Sequence, residues 1–404
     1  MISWRVSDAA AAVRQELRQW LANNPPPAAG RDSSLESFVT IGREWQRQLA
    51  VGRWLAVHWP VEHGGRGLTL VEEAIVQEEL GRIGAPQILG LFGLTMVGPV
   101  LIAHGTQEQR QRFLSRILTG DDIWCQGFSE PGAGSDLTAL ALRCEAVVDP
   151  DKGEGFLLQG SKIWTSFAHI ADWCFLLGRT SRGERPHEGL SYLLVDMKSP
   201  GITVRPLRQI SGEEEFNEVF FDGVFVSREN LVGEVGKGWA IALTTLLYER
   251  VVLTFARHVQ SERILNELLT PEWRGRMTDA ERAELVEHYT TFCAVRALAY
   301  QHVASYAAGG EPGPEGSMDK LLWSESFQRL AAFRLRLEGE RAALSEEISP
   351  HSLRYLYSRG RTIAAGTSEI QRSIIAERLM GLPRLNHTEA PPRGSGSAPG
   401  GVRR

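Results

Sequence analysis

Cysteine and long apolar runs are both scarce in this sequence, and each shortage excludes a class of protein. The 404 residues include only four cysteines, and no two of them form a Cys-x-x-Cys pair. Neither a disulfide framework nor a thiolate metal site is therefore expected, and we predict a cytoplasmic protein without a bound metal. No apolar run is long enough to span a bilayer, and the N-terminal residues lack the apolar core of a signal peptide.

Basic charge is also scarce. The chain carries 44 Lys and Arg against 49 Asp and Glu, which gives a net charge of −5 at pH 7. Proteins that bind nucleic acid or an anionic membrane surface usually carry a basic surplus. We therefore predict neither a nucleic-acid partner nor a membrane partner.

Several widespread active-site motifs are missing. The sequence contains no phosphate-binding GxxxxGK[ST] loop, no HExxH zinc helix and no GxSxG nucleophile elbow. Gly132 and Gly134 do not form a dinucleotide-binding fingerprint, because Leu137 stands where the third glycine belongs and no βαβ pattern surrounds it. A redox cofactor, if the protein uses one, must be held in another way.

The hydrophobic pattern changes twice along the chain, which is too long for one ordinary core. Residues 1–122 show helical stripes, residues 123–235 show short β-branched or aromatic runs between Gly, Pro and Asp, and residues 236–385 are helical again. Residues 386–404 are of low complexity, and we predict a disordered tail. The predicted fold is α+β and multidomain: an N-terminal helical domain, a central antiparallel β-domain and a C-terminal helical bundle.

Local signals define several of the predicted helices. Asp8 is predicted to cap the first helix, and Thr106 with Gln109 forms a capping box. The apolar stripe of the first helix comprises Val13, Leu17 and Leu21. The long C-terminal helices are predicted at 239–269, 279–308, 317–344 and 352–380.

The first candidate site segment is WCQGFSEPGAGSDL, residues 124–137. A strand is predicted to deliver Phe128 and Ser129 to a surface, where a tight Pro-Gly-x-Gly loop exposes backbone N–H and C=O groups. Such a loop allows a flat cofactor or an extended ligand to approach the main chain. Taken alone, the loop is better explained as an ordinary hairpin turn.

The second segment is GSKIWTSF, in which Trp164 is followed by the hydroxyls of Thr165 and Ser166. An indole beside hydrogen-bond donors suits a flavin ring, which needs a stacking surface and polar contacts at its edge. The alternative is a core tryptophan on a strand, which this segment alone favours.

The third segment is GTSEIQR, residues 366–372, in which Ser368 and Gln371 are predicted to form a capping box at a helix N-terminus. Helix N-termini also bind anions such as phosphates. From these residues alone a plain cap and a phosphate site are equally good explanations.

The fourth candidate is Glu249, a carboxylate on an apolar helical face with Leu246, Val252 and Leu253. Desolvation raises the pKa of such a carboxylate, as a general base near neutral pH requires. The competing explanation is a buried ion pair between Glu249 and an arginine, and the residues alone favour it.

Together these segments resemble the acyl-CoA dehydrogenase family. The order of helices, β-domain and C-terminal four-helix bundle is the same, and FSEPGAGSDL followed by GSKIWTS is a highly specific pair. HWPVEHGGRGL, FNEVFFDGVFVSRENLVGEVGKGW and GTSEIQRSIIAERLMGLPR also match. The resemblance covers nearly all of residues 5–385 and implies FAD as cofactor and an acyl-CoA thioester as substrate.

The resemblance assigns roles by position. The residues implied to contact the flavin ring are Phe128, Ser129, Trp164 and Ser166. The residues implied to lie near the FAD phosphates or ribityl chain are Thr367, Ser368 and Glu369. The residues implied to bind the acyl-CoA are Ser135, Arg250, Ala365 and Gly366, with the backbone N–H of Ala365 polarising the thioester carbonyl.

The catalytic base departs from the commoner family pattern. Many members carry the catalytic glutamate directly before the GTS motif, where this chain has Ala365. Another branch places the glutamate on the first long bundle helix, just before an arginine. Glu249 followed by Arg250 reproduces that pair, so the resemblance identifies Glu249 as the catalytic base.

The oligomer also departs from the commoner pattern. Many homotetrameric members complete a neighbour's FAD site with R-x-x-F-G and Q-x-x-G-G-x-G segments, and PEWRGRM and RLRLEGERAAL stand at those places here. GGEPGPEGSMDKLLWSE resembles actinobacterial members that form α₂β₂ heterotetramers, several of them acting on sterol side-chain thioesters. A homotetramer or an α₂β₂ complex with a second acyl-CoA dehydrogenase-like chain is expected.

The implied reaction is α,β-dehydrogenation of an acyl-CoA to the trans-2-enoyl-CoA, with electrons passed to an electron-transfer flavoprotein. Two alternatives remain: a non-catalytic or FAD-completing subunit of an α₂β₂ enzyme, and an acyl-CoA oxidase on the same scaffold. A flavin monooxygenase is disfavoured, because it would have no use for the EPGAGSD acyl-CoA loop.

Overall fold

The computed structural model describes residues 7–28, 34–310, 313–339 and 348–384. Within the helix that carries Glu249, the side chains of residues 247–254, 256 and 257 lie outside the described part. The predicted tail also lies outside it. Within the described ranges, no helix combines the length and apolar character needed to cross a membrane.

The N-terminal part is helical, as predicted. Its helices are α1 (Asp8–Asn23), α2 (Leu35–Val51), α3 (Leu70–Arg82), α4 (Gly98–His104) and α5 (Gln107–Thr119), with a π-helical turn at Gly93–Val97. The predicted stripe of α1 is buried, and the predicted Thr106–Gln109 capping box begins α5. The predicted Asp8 cap is wrong, because the Ser7 hydroxyl accepts the Ala10 N–H and Asp8 is the first helical residue.

The middle part is a single sheet. Its strands are β1 (Trp124–Gly127), β2 (Arg143–Asp149), β3 (Gly153–Ser166), β4 (Trp173–Arg179), β5 (Leu190–Asp196), β6 (Ile202–Leu207), β7 (Phe216–Ser227) and β8 (Leu231–Val232). The spatial order is β6-β7-β3-β2-β4-β5-β8, and β1 pairs with β4. Most neighbours are antiparallel, as predicted, but β1 and β2 both run parallel to β4, with Trp124 opposite Trp173 and Arg143 opposite Arg179.

The C-terminal part is again helical. Its helices are α6 (Gly238–Leu268), α7 (Pro271–Arg276), α8 (Asp279–Ala307), α9 (Gly316–Arg336), α10 (Pro350–Arg361) and α11 (Ser368–Ile374). Helices α6, α8 and α9 pack against one another, and α10 packs on α9. The predicted continuous helix over 352–380 is wrong, because the chain turns at Ala365 (φ 56°) and Gly366 (φ 92°), both in the left-handed region.

Buried charges and polar groups connect the three parts. The carboxylate of Glu78 on α3 accepts hydrogen bonds from Arg296 on α8 at 2.7 and 2.9 Å and pairs with Arg14 on α1. The sheet meets the helices where the Thr245 hydroxyl of α6 contacts the Tyr192 hydroxyl of β5 at 3.3 Å. The contact of Thr245 places the first turns of α6 against the sheet, one helical turn before Glu249.

Candidate active site at the junction of the sheet and the C-terminal helices

The first predicted segment leaves the end of β1. The ring of Phe128 is buried and lies edge-on to Phe175 and Tyr192, with ring centroids 5.8 and 6.1 Å away. Its side chain therefore belongs to the core, and only its main chain is available to a ligand. Ser129, the next residue, is half-buried.

The loop after Ser129 is a tight hairpin. The backbone N–H groups of Glu130 and Ala133 each donate to the other's carbonyl at 3.0 Å. A Cβ added at Gly132 or Gly134 would meet no atom within 4 Å, and neither glycine is in the left-handed region. The chain's own packing therefore does not require glycine here, whereas a ligand approaching the bare backbone would. Ser135 is exposed beside this open surface.

The second predicted segment ends β3. Trp164 has φ 59° and lies where the pairing of β3 with β7 shifts register between Lys162 and Thr165. This irregularity turns the indole outward, so it is 58% exposed and lies edge-on to Phe216 at 5.9 Å. Trp164 is therefore not a core tryptophan.

Two hydroxyls follow the exposed indole. The Thr165 side chain is buried, and its Oγ1 has no hydrogen-bond partner among the described residues. Ser166 is half-buried and ends the strand opposite Phe216. A buried hydroxyl without a partner is costly, so this place is suited to a polar ligand edge.

The third predicted segment forms the turn between α10 and α11. The predicted Ser368–Gln371 capping box is wrong by one residue, because Thr367 is the N-cap and its side chain accepts the Ile370 N–H. The side chain of Gln371 instead donates to the Ala365 carbonyl at 2.8 Å. The Ser368 Oγ is buried without a partner in the described part of the chain.

The left-handed turn is held by two side chains. Besides the Gln371 bond to Ala365, Lys320 of α9 donates to the Gly366 carbonyl at 2.6 Å. Glu369, by contrast, is exposed, and hydrogen bonds from its own N–H and from Thr367 lower the pKa of its carboxyl.

One electrostatic interaction links the second and third segments. The N–H of Phe167, just after β3, donates to the Glu215 carbonyl at 2.8 Å. Burial raises the pKa of the Glu215 carboxyl, and the positive charge of Arg361 at the end of α10 opposes that shift. The charge of α10, which leads into the Ala365 turn, therefore acts on the residue that is bonded to the end of β3.

The first segment reaches α6 through Tyr192. Phe128 packs on Tyr192, whose hydroxyl contacts Thr245, and Glu249 follows Thr245 by one turn on the same side of α6. The side chains of Glu249 and Arg250 lie outside the described part, so their roles stay predictions.

Two buried residues in this region were not predicted from the sequence. Lys162 on β3 and Glu130 at the start of the hairpin form an ion pair with an N–O distance of 2.8 Å. The only available signal was their place inside the motifs SEPGAGSD and GSKIWTS, because charged residues are normally expected on the surface.

Comparison with known proteins identifies the family. Residues 7–121, 125–224 and 236–380 match the models of the N-terminal, middle and C-terminal domains of acyl-CoA dehydrogenases. The chain belongs to the acyl-CoA dehydrogenase family. The resemblance inferred from the motifs is thus confirmed, and with it an oxidoreductase acting on acyl-CoA thioesters.

Individual relatives are similar to this chain along almost their whole length. The acyl-CoA dehydrogenase IpdE1 of Mycolicibacterium smegmatis is 39% identical over 391 residues, which cover 92% of this chain and 97% of the relative. The crystal structure of the ChsE4–ChsE5 complex from Mycobacterium tuberculosis matches with a TM-score of 0.79 and 27% identity, covering 95% of this chain and 100% of that one. The Tcur3481–Tcur3483 steroid ACAD matches with a TM-score of 0.79 and 26% identity, over 95% and 100% of the two chains.

Proposed function

We propose that this acyl-CoA dehydrogenase binds FAD non-covalently where the sheet meets the C-terminal helices, and that it oxidises the α,β bond of an acyl-CoA to the trans-2-enoyl-CoA. One observation carries the cofactor assignment: the exposed Trp164 indole stands directly before the buried, unpartnered Thr165 hydroxyl. The indole face can stack on a flavin ring, and the unpartnered hydroxyl can form a hydrogen bond with the polar edge of that ring.

The chain offers two sets of FAD contacts. The main chain of Phe128 and Ser129, together with Trp164 and Ser166, would hold the ring. Thr367, Ser368 and Glu369 would lie near the phosphates or the ribityl chain, where the unpartnered Ser368 hydroxyl is available. When bound, FAD supplies the hydride acceptor.

The turn at Ala365 would polarise the thioester. Gln371 donates a hydrogen bond to the Ala365 carbonyl, and Lys320 donates one to the Gly366 carbonyl. These two bonds fix the left-handed turn and the direction of its N–H groups. An N–H held in place in this way stabilises the charge that develops on the thioester oxygen when the α-proton leaves. Because only the backbone N–H is needed, alanine at position 365 is compatible with this role.

The acyl-CoA and its α-proton would be handled from three elements. Ser135 on the open hairpin and Arg250 on α6 would bind the substrate, beside the turn of Ala365 and Gly366. Glu249 would remove the α-proton, because position 365 carries no carboxylate and Glu249 follows by one helical turn Thr245, whose hydroxyl contacts the sheet.

We further propose that the enzyme is an oligomer, either a homotetramer or an α₂β₂ complex with a second acyl-CoA dehydrogenase-like chain. Two observations support this proposal. Other sequences stand in place of the segments with which many family members complete a neighbour's FAD site, and the chain is similar to the ChsE4–ChsE5 complex. The similarity to a steroid ACAD favours a steroid-derived acyl-CoA as substrate. An electron-transfer flavoprotein would receive the electrons, in the cytoplasm.

The visible absorption spectrum tests this function. The protein, purified alone or with its partner chain, should show flavin bands or acquire them when FAD is added. The bands should bleach when a steroid-derived or fatty acyl-CoA is added without oxygen. A preparation that stays colourless with FAD, with and without a partner chain, would contradict the proposal. Rapid reoxidation of the bleached protein in air would identify an oxidase instead.

A further inference from the structure

Lys162 is a fully buried lysine with every donor used. Its exposed fraction is 0%, and its Nζ donates to the Phe128 carbonyl at 3.0 Å, to Glu130 Oε1 at 2.8 Å and to the Leu177 carbonyl at 2.7 Å. An ammonium group has three N–H donors, so these three acceptors satisfy it completely. Burial lowers the pKa of Lys162, while the charge and hydrogen bond of Glu130 oppose that shift.

Glu130 is equally well satisfied. Besides Lys162, its Oε1 accepts the Leu142 N–H at 2.9 Å, and its Oε2 accepts the Ala141 N–H at 2.7 Å. The pair therefore connects β3, the hairpin and the chain that enters β2. Its bonds are those that a buried ion pair needs in order to offset desolvation.

These bonds surround Ser129. Lys162 holds the residue before it through the Phe128 carbonyl and the residue after it through the Glu130 carboxylate. The N–H of Ile163, next to Lys162, donates to the carbonyl of Ser129 itself at 2.9 Å. Three successive residues of one segment are thus fixed to two residues of the other, directly before Trp164.

Stability alone is a poor reason for this pair. Lys162 is fully buried in the sheet, whose core is an apolar cluster that includes Cys144, Leu158 and Cys174. Replacing a buried ion pair by apolar residues of similar volume is often neutral or stabilising. A charged pair retained in such a core is therefore better explained by the geometry that it imposes.

We propose that Lys162 and Glu130 are a positioning pair that holds the Ser129 main chain and the Trp164 indole in the arrangement that binds the flavin. This inference rests on the proposed FAD site. Neither residue touches the cofactor in this scheme, because both act through the two segments that they join.

The test compares Lys162→Met with a matched control, Arg296→Met. Both variants remove the cation of a buried ion pair, because Arg296 pairs with Glu78, whose side chain is 1% exposed, between α8 and α3. Three quantities are measured for each: the thermal midpoint, the Kd for FAD and the visible circular dichroism of bound FAD. The dichroism reports the fixed environment of the flavin ring, which a purely structural residue would leave unchanged.

We expect Lys162→Met to raise the Kd for FAD by at least about tenfold, equivalent to about 1.4 kcal/mol, and to alter the dichroism. Arg296→Met should lower the thermal midpoint but change the Kd by less than about twofold, since its bonds join α8 to α3 and not the two proposed FAD segments. Equal Kd values for the two variants at equal midpoints, with unchanged dichroism, would overturn the inference. Wild-type protein that binds no FAD would instead overturn the proposed function.

Glu130→Gln keeps the test decisive if Lys162→Met does not fold. The substitution keeps the shape and removes the charge, so the Lys162 ammonium loses its ionic partner while the backbone carbonyls remain. The Kd for FAD should again rise and the dichroism should change. Wild-type values of both in a folded Glu130→Gln protein would overturn the inference.

Discussion

Replacing Gly366 by alanine should damage the turn that we propose to polarise the substrate. Gly366 has φ 92°, and a Cβ there would lie 2.6 Å from the Nε2 of Gln371. An L-residue with left-handed backbone costs about 1–2 kcal/mol. Displacing the Gln371 amide also weakens its bond to the Ala365 carbonyl, which contributes about 0.5–1.5 kcal/mol.

The sum, about 1.5–3.5 kcal/mol, predicts two effects. If the strain falls mainly on the catalytic arrangement, anaerobic flavin reduction by acyl-CoA should slow by about 10–400-fold. If it falls on the folded state, the thermal midpoint should drop by several degrees. Gly360→Ala is the control, because Gly360 lies in helix α10 with no atom within 4 Å of an added Cβ. The control should be neutral or more stable by about 0.5–1 kcal/mol. A Gly366→Ala protein with wild-type midpoint and reduction rate would refute this account of the turn.

Three further outcomes are expected. The bond of His302 to Asp319 at 2.8 Å raises the pKa of His302 in the folded protein. The bond therefore stabilises the fold fully below the pKa of an unfolded histidine, about 6.5, and this stabilisation is lost as the pH rises through the raised pKa of the folded state. The thermal midpoint of His302→Gln should therefore differ most from wild type at about pH 5.5 and least at about pH 8.5, and the opposite trend would exclude this explanation. Gly134→Ala should fold normally, because its Cβ meets no atom, but should bind acyl-CoA or FAD more weakly, and wild-type affinities in titrations would show that no ligand approaches this backbone. Light scattering should show an oligomer, and a stable, active monomer would contradict the proposed assembly.

The strands were largely predictable from the sequence. The short runs predicted over residues 123–235 coincide with the strands β1 to β8, which lie within residues 124–232. Short β-branched and aromatic runs between Gly, Pro and Asp are a local signal, and so is the buried stripe of α1. The predicted boundaries after residues 122 and 235 stay predictions.

The errors share a tertiary or stereochemical cause. The parallel pairing of β1 with β4 depends on which strands meet in space, which periodicity does not encode. Residues 352–380 kept a helical pattern, yet Ala365 adopts a left-handed conformation because Gln371 and Lys320 hold the carbonyls of the turn. Alanine carries no sequence signal for such a conformation.

The site was only partly predictable for the same reason. Trp164 could be placed in a motif, but its exposure follows from a register shift that the sequence does not show. Lys162 and Glu130 were missed because a lysine in a strand normally reaches solvent. Only the structure shows that its ammonium meets three acceptors inside the sheet.

The central claim is that Glu249 is the base of an FAD-dependent acyl-CoA dehydrogenation, and rapid-mixing measurement of anaerobic flavin reduction tests it most directly. Glu249→Gln keeps the shape of the side chain and removes its basicity. Glu262→Gln, on the same helix and paired with Arg82, is the control. With FAD and acyl-CoA still bound, reduction should slow by about 100-fold or more in Glu249→Gln and remain near wild type in Glu262→Gln. Near-normal reduction by Glu249→Gln would contradict the claim and indicate a base from another chain, and failure of that variant to fold would favour a structural ion pair.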